Sequence, residues 1–403
     1  MKPLEEVRDL VLGTVSRLDP ETVPLDRALG RVLAEPVVSS QDVPLFANSA
    51  MDGYAVRAAD VASPGASLEV AGEVPAGGVA SVEVGAGQAL KIMTGAPMPG
   101  GADAVVRVED TEESGRTVRI RVAVTAGTHV RAPGGDLKRG AEVFPAGTRL
   151  SATHVGVLAT IGVTRPVVSR VPRVAVISTG DELAPAETED LGPGMIRDSN
   201  RPMLLAMISE SGAATLDLGA IADDADLLRA AVGRAAVEAD AIVTSGGVSM
   251  GDYDMIKTVL GTETGVDLLE VAMKPGKPFG FGPVGGTPLF GLPGNPVSVL
   301  VSFEQLVRPA LLAMQGALAI LRPRLTGIAG ERLESDPAKV EFIRAHLEAG
   351  RVVKTGGQGS HVLSGAAMAD FFAVLPVGVA AVEEGDELIL ELFRAEASRG
   401  IGQ

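Results

Sequence analysis

Hydrophobic positions change period several times along the chain, and those changes divide it. Leu4, Val7, Leu10, Val11, Val15 and Leu18 recur at helical spacing, and Leu25 to Leu33 predicts a second short helix packed on the first. From about Val56 to Phe144 the pattern alternates, as in SLEVAGEV and TVRIRVAV, with Gly-rich turns between, which predicts a β-rich module. Helical spacing returns at Ser151 (SATHVGVLATIG), so the β module reads as an insertion into one helical unit. From Arg173 the order is strand RVAVIST, helix Ser199 to Ser211, strand Ala214 to Ile221, helix Asp224 to Ala236 and strand Ala241 to Thr244. That βαβαβ order predicts a parallel sheet covered by helices. After Arg322 the segments FIRAHLE, RVVKT, FFAVLPV and ELILELF, separated by Gly and acidic turns, predict a closing β domain.

Ligands of such sheets bind beyond the carboxyl ends of the strands. The unusual residues fall there: Ser178-Thr179-Gly180-Asp181-Glu182, then Asp223-Asp224, Ser245-Gly246-Gly247 and Pro293-Gly294-Asn295-Pro296. The small residues leave backbone N–H groups open to a ligand, and Asn295 with Pro296 reads as an N-cap and first helical residue, a positive helix end facing an anion. Between the last two turns, Pro275 and Pro278 stiffen the chain while Lys274 and Lys277 supply cations. Together these predict a phosphate or oxyanion site. Asp181 and Glu182 either face that ligand or cap a turn; Asp223 and Asp224 either act in the site or cap the next helix. Asp252 and Asp254 either hold a metal near phosphates or start a helix at Met255. Asn48 to Tyr54, Met93 to Ala96 and Arg131 to Asp136 read from composition only as stabilised turns, and His346 and His361 as surface or packing histidines.

Composition narrows the chemistry. At 403 residues the chain is too long for one core. It has no cysteine, which removes disulfides and thiolate chemistry, and its four histidines are too scattered for a zinc pattern. A metal would therefore be a hard ion on carboxylates. The formal charge of −16 argues against nucleic-acid binding, yet screening over roughly 8 Å leaves a pocket to its own Lys and Arg residues. The absence of an apolar run of about 18 residues argues against a membrane span. With acidic residues and no signal-peptide core in MKPLEEVRDLVLG, the expected location is the cytoplasm.

In order, NSAMDGYAV, IMTGAP, STGDEL, GMIRDSN, SGGVSMGDYD, KPGKPFGFG and GLPGNPVS follow the series found in molybdopterin molybdenumtransferases. The sequence resembles that family, and the related E domain of gephyrin, from the first helix to the QGSHVLS stretch and the last β segment. The resemblance implies an α/β multidomain fold: a split helical, elongated domain (1–44 and 142–170), an inserted β-rich domain (45–141), a central parallel α/β sheet domain (171–320) and a C-terminal β-barrel-like domain (321–403). It implies a homodimer whose cleft uses both protomers, and transient contact with other enzymes of molybdenum cofactor synthesis. The implied reaction takes molybdate and adenylylated molybdopterin, releases AMP, and uses Mg²⁺. Carried over residue by residue, the acidic functional set is Asp52, Asp136, Glu182, Asp223 and Asp254, with Thr94 and Arg131 close by. Lys274, Lys277, Pro293 and Pro296 match pocket residues, the glycine turns hold pyrophosphate or molybdate, and Asp223 or Asp254 holds Mg²⁺. This chain departs from the pattern at Gly135, where relatives often carry an acid before the aspartate, and at Ala369-Asp370, where Asn is common at the second position. The rival readings are an enzyme that adenylylates molybdopterin with Mg-ATP, and a non-catalytic scaffold.

Overall fold

The computed structural model describes residues 1–247 and 265–393. Its centre is a six-stranded sheet in the order Ala214–Ile221, Arg173–Thr179, Ala241–Ser245, Thr287–Leu292, Pro278–Val284, Asp267–Glu270. The first four strands are parallel, and the last two run antiparallel to their neighbours. A strand buried on both faces must be apolar throughout, and its alternation then decides which core each side chain enters. Val174 and Val176 accordingly pack with the helices Leu4–Thr14 and Asn200–Glu210, while Ala175 and Ile177 pack with Leu228, Val232 and Ala235 of Ala225–Glu238. One helical run, Pro296–Met314, is long and apolar enough to cross a membrane, but its apolar window is 94% buried, as expected for a core helix. It is interrupted by a π turn over Phe303–Val307, where the buried Glu304 is paired with Arg322 at 2.8 and 2.9 Å.

The expected helix over Leu25 to Leu33 is only a 3-10 turn, Leu25–Arg27. Nor do the two amino-terminal segments share a core. Leu4, Val7 and Val11 join the core of the central sheet, whereas Ala28 and Leu33 pack with Leu150, Leu158 and Val168. This second core is tied by antiparallel pairing of Pro20–Thr22 with Val167–Ser169 and of Val37–Val38 with Glu142–Phe144. The chain between those pairs makes its own six-stranded sheet, ordered Ala104–Arg107, Gly53–Val56, Gln88–Ile92, Ser67–Val74, Thr117–Ile120, Thr111–Ser114. Here too alternation sorts the faces, with Tyr54 and Val56 in one cluster and Ala55 in the other.

In the C-terminal region Val340–Glu348, Phe371–Leu375, Glu387–Leu392 and Arg324–Ile328 pair in that order. The sheet curls until Ala329 bridges Val352 of Arg351–Lys354, itself paired with Val340–Glu348, and the Gly330 N–H donates to the Val352 carbonyl at 2.8 Å. That closure gives the barrel-like form.

Candidate active site

The expected residues form three groups. The first lies beside the β module, where backbone hydrogen bonds stitch three distant motifs together. Ser49 N donates to Ala96 O at 3.0 Å, Gly95 N to Ser49 O at 2.9 Å and Ala50 N to His129 O at 2.9 Å, while Asn48–Ser49 pairs with Val130–Arg131. Asp52 accepts from Thr94 twice, from the backbone N–H at 2.7 Å and from the hydroxyl at 2.8 Å. These bonds, the backbone one foremost, hold its carboxyl below the usual range, so it stays ionised near neutrality. Asp136 is exposed and anchored through its own N–H to Val43 O at 2.9 Å.

The second group occupies the carboxyl ends of the central strands around a cavity of about 100 Å³. Gly246 has φ +90°, and a Cβ there would lie 2.6 Å from the Thr179 carbonyl. The position therefore requires glycine twice over, for conformation and for space. At Gly180, with φ +147°, a Cβ would meet the Glu182 carboxylate at 2.5 Å. The hydroxyls of Ser178 and Thr179 are buried without a partner, although buried polar groups in folded proteins are almost always satisfied. Asp181 accepts from the Asp223 N–H at 3.0 Å. Burial, followed by the charges of Asp181 and Glu182, raises the Asp223 carboxyl. Its neighbour Asp224 is the helix cap, accepting from Asp226 N and Leu227 N at 2.9 Å each.

A raised carboxyl means that the folded state disfavours the ionised form. The resulting loss of stability exists above the folded pKa and is relieved as pH falls through it. Asp223→Asn is therefore expected to melt no lower than the parent at neutral pH, with any advantage fading in acid. A lower melting temperature at neutral pH would contradict this assignment of the carboxylate.

The third group is separate. Lys274 and Lys277 do not sit at the strand ends but in an adjoining cleft of about 330 Å³, which also involves Ser298, Lys339, Glu341 and Gln358. Lys274 pairs with Glu341 at 3.0 Å and Lys277 with Glu270 at 2.9 Å. The first turn of Pro296–Ser302 divides the two cavities, with Pro296 lining the strand-end pocket and Ser298 the lysine cleft. Asn295 holds the N-cap position, but its side chain makes no capping bond. The Val297 N–H instead donates to the Ser360 carbonyl at 3.0 Å, so the helix start is partly closed by the C-terminal region. Arg344, buried to 1% exposure, supports that loop by donating to Gly357 O at 2.9 Å and Gly359 O at 3.2 Å. The arginine could not be assigned a position from strand alternation alone; Ser298 ends the GLPGNPVS run without any sign that it faces the lysines, and Lys339 belongs to no quoted motif.

Asp252 and Asp254 lie outside the described residues. Among the described residues no group of three or more His, Cys, Asp or Glu side chains is arranged to hold a metal ion.

A mixed, mainly parallel sheet with glycine turns at its strand ends and a lysine cleft alongside defines a multidomain α/β protein with its pockets beyond the carboxyl ends of the strands. Residues 2–162 match the MoeA N-terminal region (domain I and II), 175–313 the probable molybdopterin binding domain, and 326–393 the MoeA C-terminal region (domain IV). Molybdopterin molybdenumtransferase 2 of Mycobacterium tuberculosis is 41% identical over 401 residues, covering 96% of this chain and 98% of that protein. Molybdopterin molybdenumtransferase of Nostoc sp. is 37% identical over 412 residues, covering 97% and 94%. The molybdopterin biosynthesis moeA protein from Pyrococcus horikoshii OT3 superposes with a TM-score of 0.87 at 30% identity, covering 98% of this chain and all of that one. The chain belongs to the molybdopterin molybdenumtransferase (MoeA) family.

Proposed function

We propose that the chain transfers molybdenum from molybdate to adenylylated molybdopterin, cleaving the phosphoanhydride and releasing AMP. One observation carries the reading: a single helix start separates a pocket of glycine turns and unpartnered hydroxyls from a lysine cleft. That arrangement suits a phosphate-bearing substrate on one side and a second oxyanion on the other. Ser178, Thr179, Gly180, Ser245, Gly246, Gly247, Pro293, Gly294, Asn295 and Pro296 would bound the phosphate side; Lys274 and Lys277 would hold molybdate. Asp52, kept ionised by Thr94, and Glu182 would orient water or manage a proton during anhydride cleavage.

Mg²⁺ fits the carboxylates present. The repulsion that Asp181 and Glu182 exert on Asp223 is the kind a cation relieves, and Mg²⁺ commonly takes only one or two protein carboxylates, completing its shell with water and phosphate. Asp223 and Asp254 would hold it. Bound there, the ion would neutralise phosphate charge and polarise the anhydride.

Asp52, Thr94, Arg131 and Asp136 lie beside a different sheet from the central pocket, and all four are exposed or part-exposed. We read the protein as a cytoplasmic homodimer in which these residues of one protomer face the central sheet of its partner. The domain limits 1–44 with 142–170, 45–141, 171–320 and 321–403 are part of the same proposal.

The test is AMP release from adenylylated molybdopterin with Mg²⁺ present and molybdate supplied or omitted. Molybdate-triggered AMP release with molybdenum retained on the pterin is the expected result. Pyrophosphate release from ATP with formation of adenylylated pterin would make the protein an adenylyltransferase instead. Inactivity in both assays would favour the scaffold.

A further inference from the structure

Asn200 begins the helix Asn200–Glu210 and lines the strand-end pocket. Its side-chain N–H₂ group donates to Ser245 Oγ at 2.9 Å and to the Gly294 carbonyl at 2.6 Å. Because a carbonyl only accepts, the Gly294 bond fixes which end of the amide faces the turns. These two partners belong to different turns. Ser245 ends one parallel strand and opens the Ser-Gly-Gly turn, while Gly294 follows the next strand and precedes the helix at Pro296. The remaining amide oxygen is buried without a donor, an unfavourable arrangement for a side chain present only to add stability.

The orientation of Asn200 is itself supported. Asp198, 2% exposed, accepts from the Arg201 N–H and from Arg201 Nε at 3.1 Å each, and Arg201 continues to Asp217 at 2.5 Å. This chain of bonds fixes the first turn of the helix, and with it the Cα of Asn200.

We propose that Asn200 is a positioning residue that locks the Ser245-Gly246-Gly247 and Pro293-Gly294 turns into one ligand cradle on the pterin side of the reaction. This rests on the functional reading above. The spacing is demanding: alanine removes both bonds, and aspartate sets a carboxylate against the Gly294 carbonyl. The lysine cleft lies on the other side of the helix start and shares none of these bonds. An Asn200 defect should therefore separate the two substrates.

The experiment measures KM for adenylylated molybdopterin and for molybdate in parent, N200A and N200D enzymes, with equilibrium binding of adenylylated molybdopterin to each. Losing two hydrogen bonds of ordinary strength is expected to raise the pterin KM about tenfold or more in N200A, and further in N200D, with the molybdate KM changed less than about twofold. S245A is expected to add little to N200A, because both remove the same link. Unchanged pterin KM and binding in folded N200A, or equal rises for both substrates, would overturn the proposal. If N200A fails to fold by circular dichroism, the isosteric N200D decides the same comparison. A parent that binds no adenylylated molybdopterin would remove the pterin-side reading itself; a parent that binds it as tightly as both variants do would remove only the role of Asn200.

Discussion

Replacing Lys274 and Lys277 together by alanine is expected to lower kcat/KM for molybdate by about a hundredfold or more, leaving binding of adenylylated molybdopterin nearly unchanged. Hydrogen bonds to charged groups contribute roughly 1.5–3 kcal/mol each, so two lost cations account for an effect of that size. Both lysines already have carboxylate partners at about the same distance, Glu341 at 3.0 Å and Glu270 at 2.9 Å. The side chains remain 53% and 40% exposed, so these pairs are screened and do not commit the ammonium groups. Each can turn toward a dianion without leaving a deeply buried charge on the lysine side. The partners differ: the Glu341 side chain is only 9% exposed and that of Glu270 39%. Lys274→Ala should consequently lower thermal stability more than Lys277→Ala, because among the described residues it leaves the more buried carboxylate with only the Asp336 N–H, at 3.2 Å, in place of a cation. Molybdate titrations of steady-state rate, run beside melting curves, separate the two effects. A folded double variant with an unchanged molybdate KM would refute the anion role of the cleft. A net charge of −16 does not forbid anionic substrates, because screening over roughly 8 Å leaves the cleft governed by the lysines and carboxylates that line it rather than by the distant surface.

Strand periods were legible where burial on two faces demands a continuous apolar run, as in Arg173–Thr179, and where burial on one face leaves an alternation, as in Thr117–Ile120. The run RVAVIST forms a strand over Arg173–Thr179, and the βαβαβ order recurs in the parallel part of the sheet. Leu25 to Leu33 misled because three or four apolar positions fit a helical face equally well when they merely line a small core of irregular chain, as Ala28 and Leu33 do. Asp224 could be read as a cap from its place before a helix, and it is one. The division of the anion-binding residues into two cavities was not legible, because motif order carries no information on which side of a helix start a lysine reaches. Asn200 was hidden for a related reason. It stands inside the quoted GMIRDSN run, but its two partners are 45 and 94 residues away in sequence, and only the parallel pairing of their strands brings them to one amide.

Gly246→Ala is expected to abolish productive binding of adenylylated molybdopterin, by about two orders of magnitude or more, with a smaller loss of global stability. At φ +90° an alanine leaves the comfortable backbone regions, a strain of order 1–3 kcal/mol. Its methyl group would also sit 2.6 Å from the Thr179 carbonyl and 3.0 Å from the Thr179 hydroxyl. Neither neighbour is the end of a flexible chain. Thr179 is the last residue of the strand Arg173–Thr179, paired on one side with Ala214–Ile221 and flanked on the other by Ala241–Ser245. The sheet, which includes Ser245, is the rigid partner, so Gly246 and Gly247 must give way, disturbing the cradle whose turns Asn200 ties together through Ser245 and Gly294. Gly265 makes the control: it also has a positive φ, +77°, but among the described residues nothing lies within 4 Å of its added Cβ. Gly265→Ala therefore carries the conformational strain without the collision, and it lies away from the residues lining the strand-end pocket. If substrate binding falls in Gly246→Ala and survives in Gly265→Ala at comparable melting temperatures, the close packing of Gly246 on Thr179 is what shapes the pocket. Equal binding in the two variants would show that the turn tolerates displacement and that the pocket does not depend on its backbone.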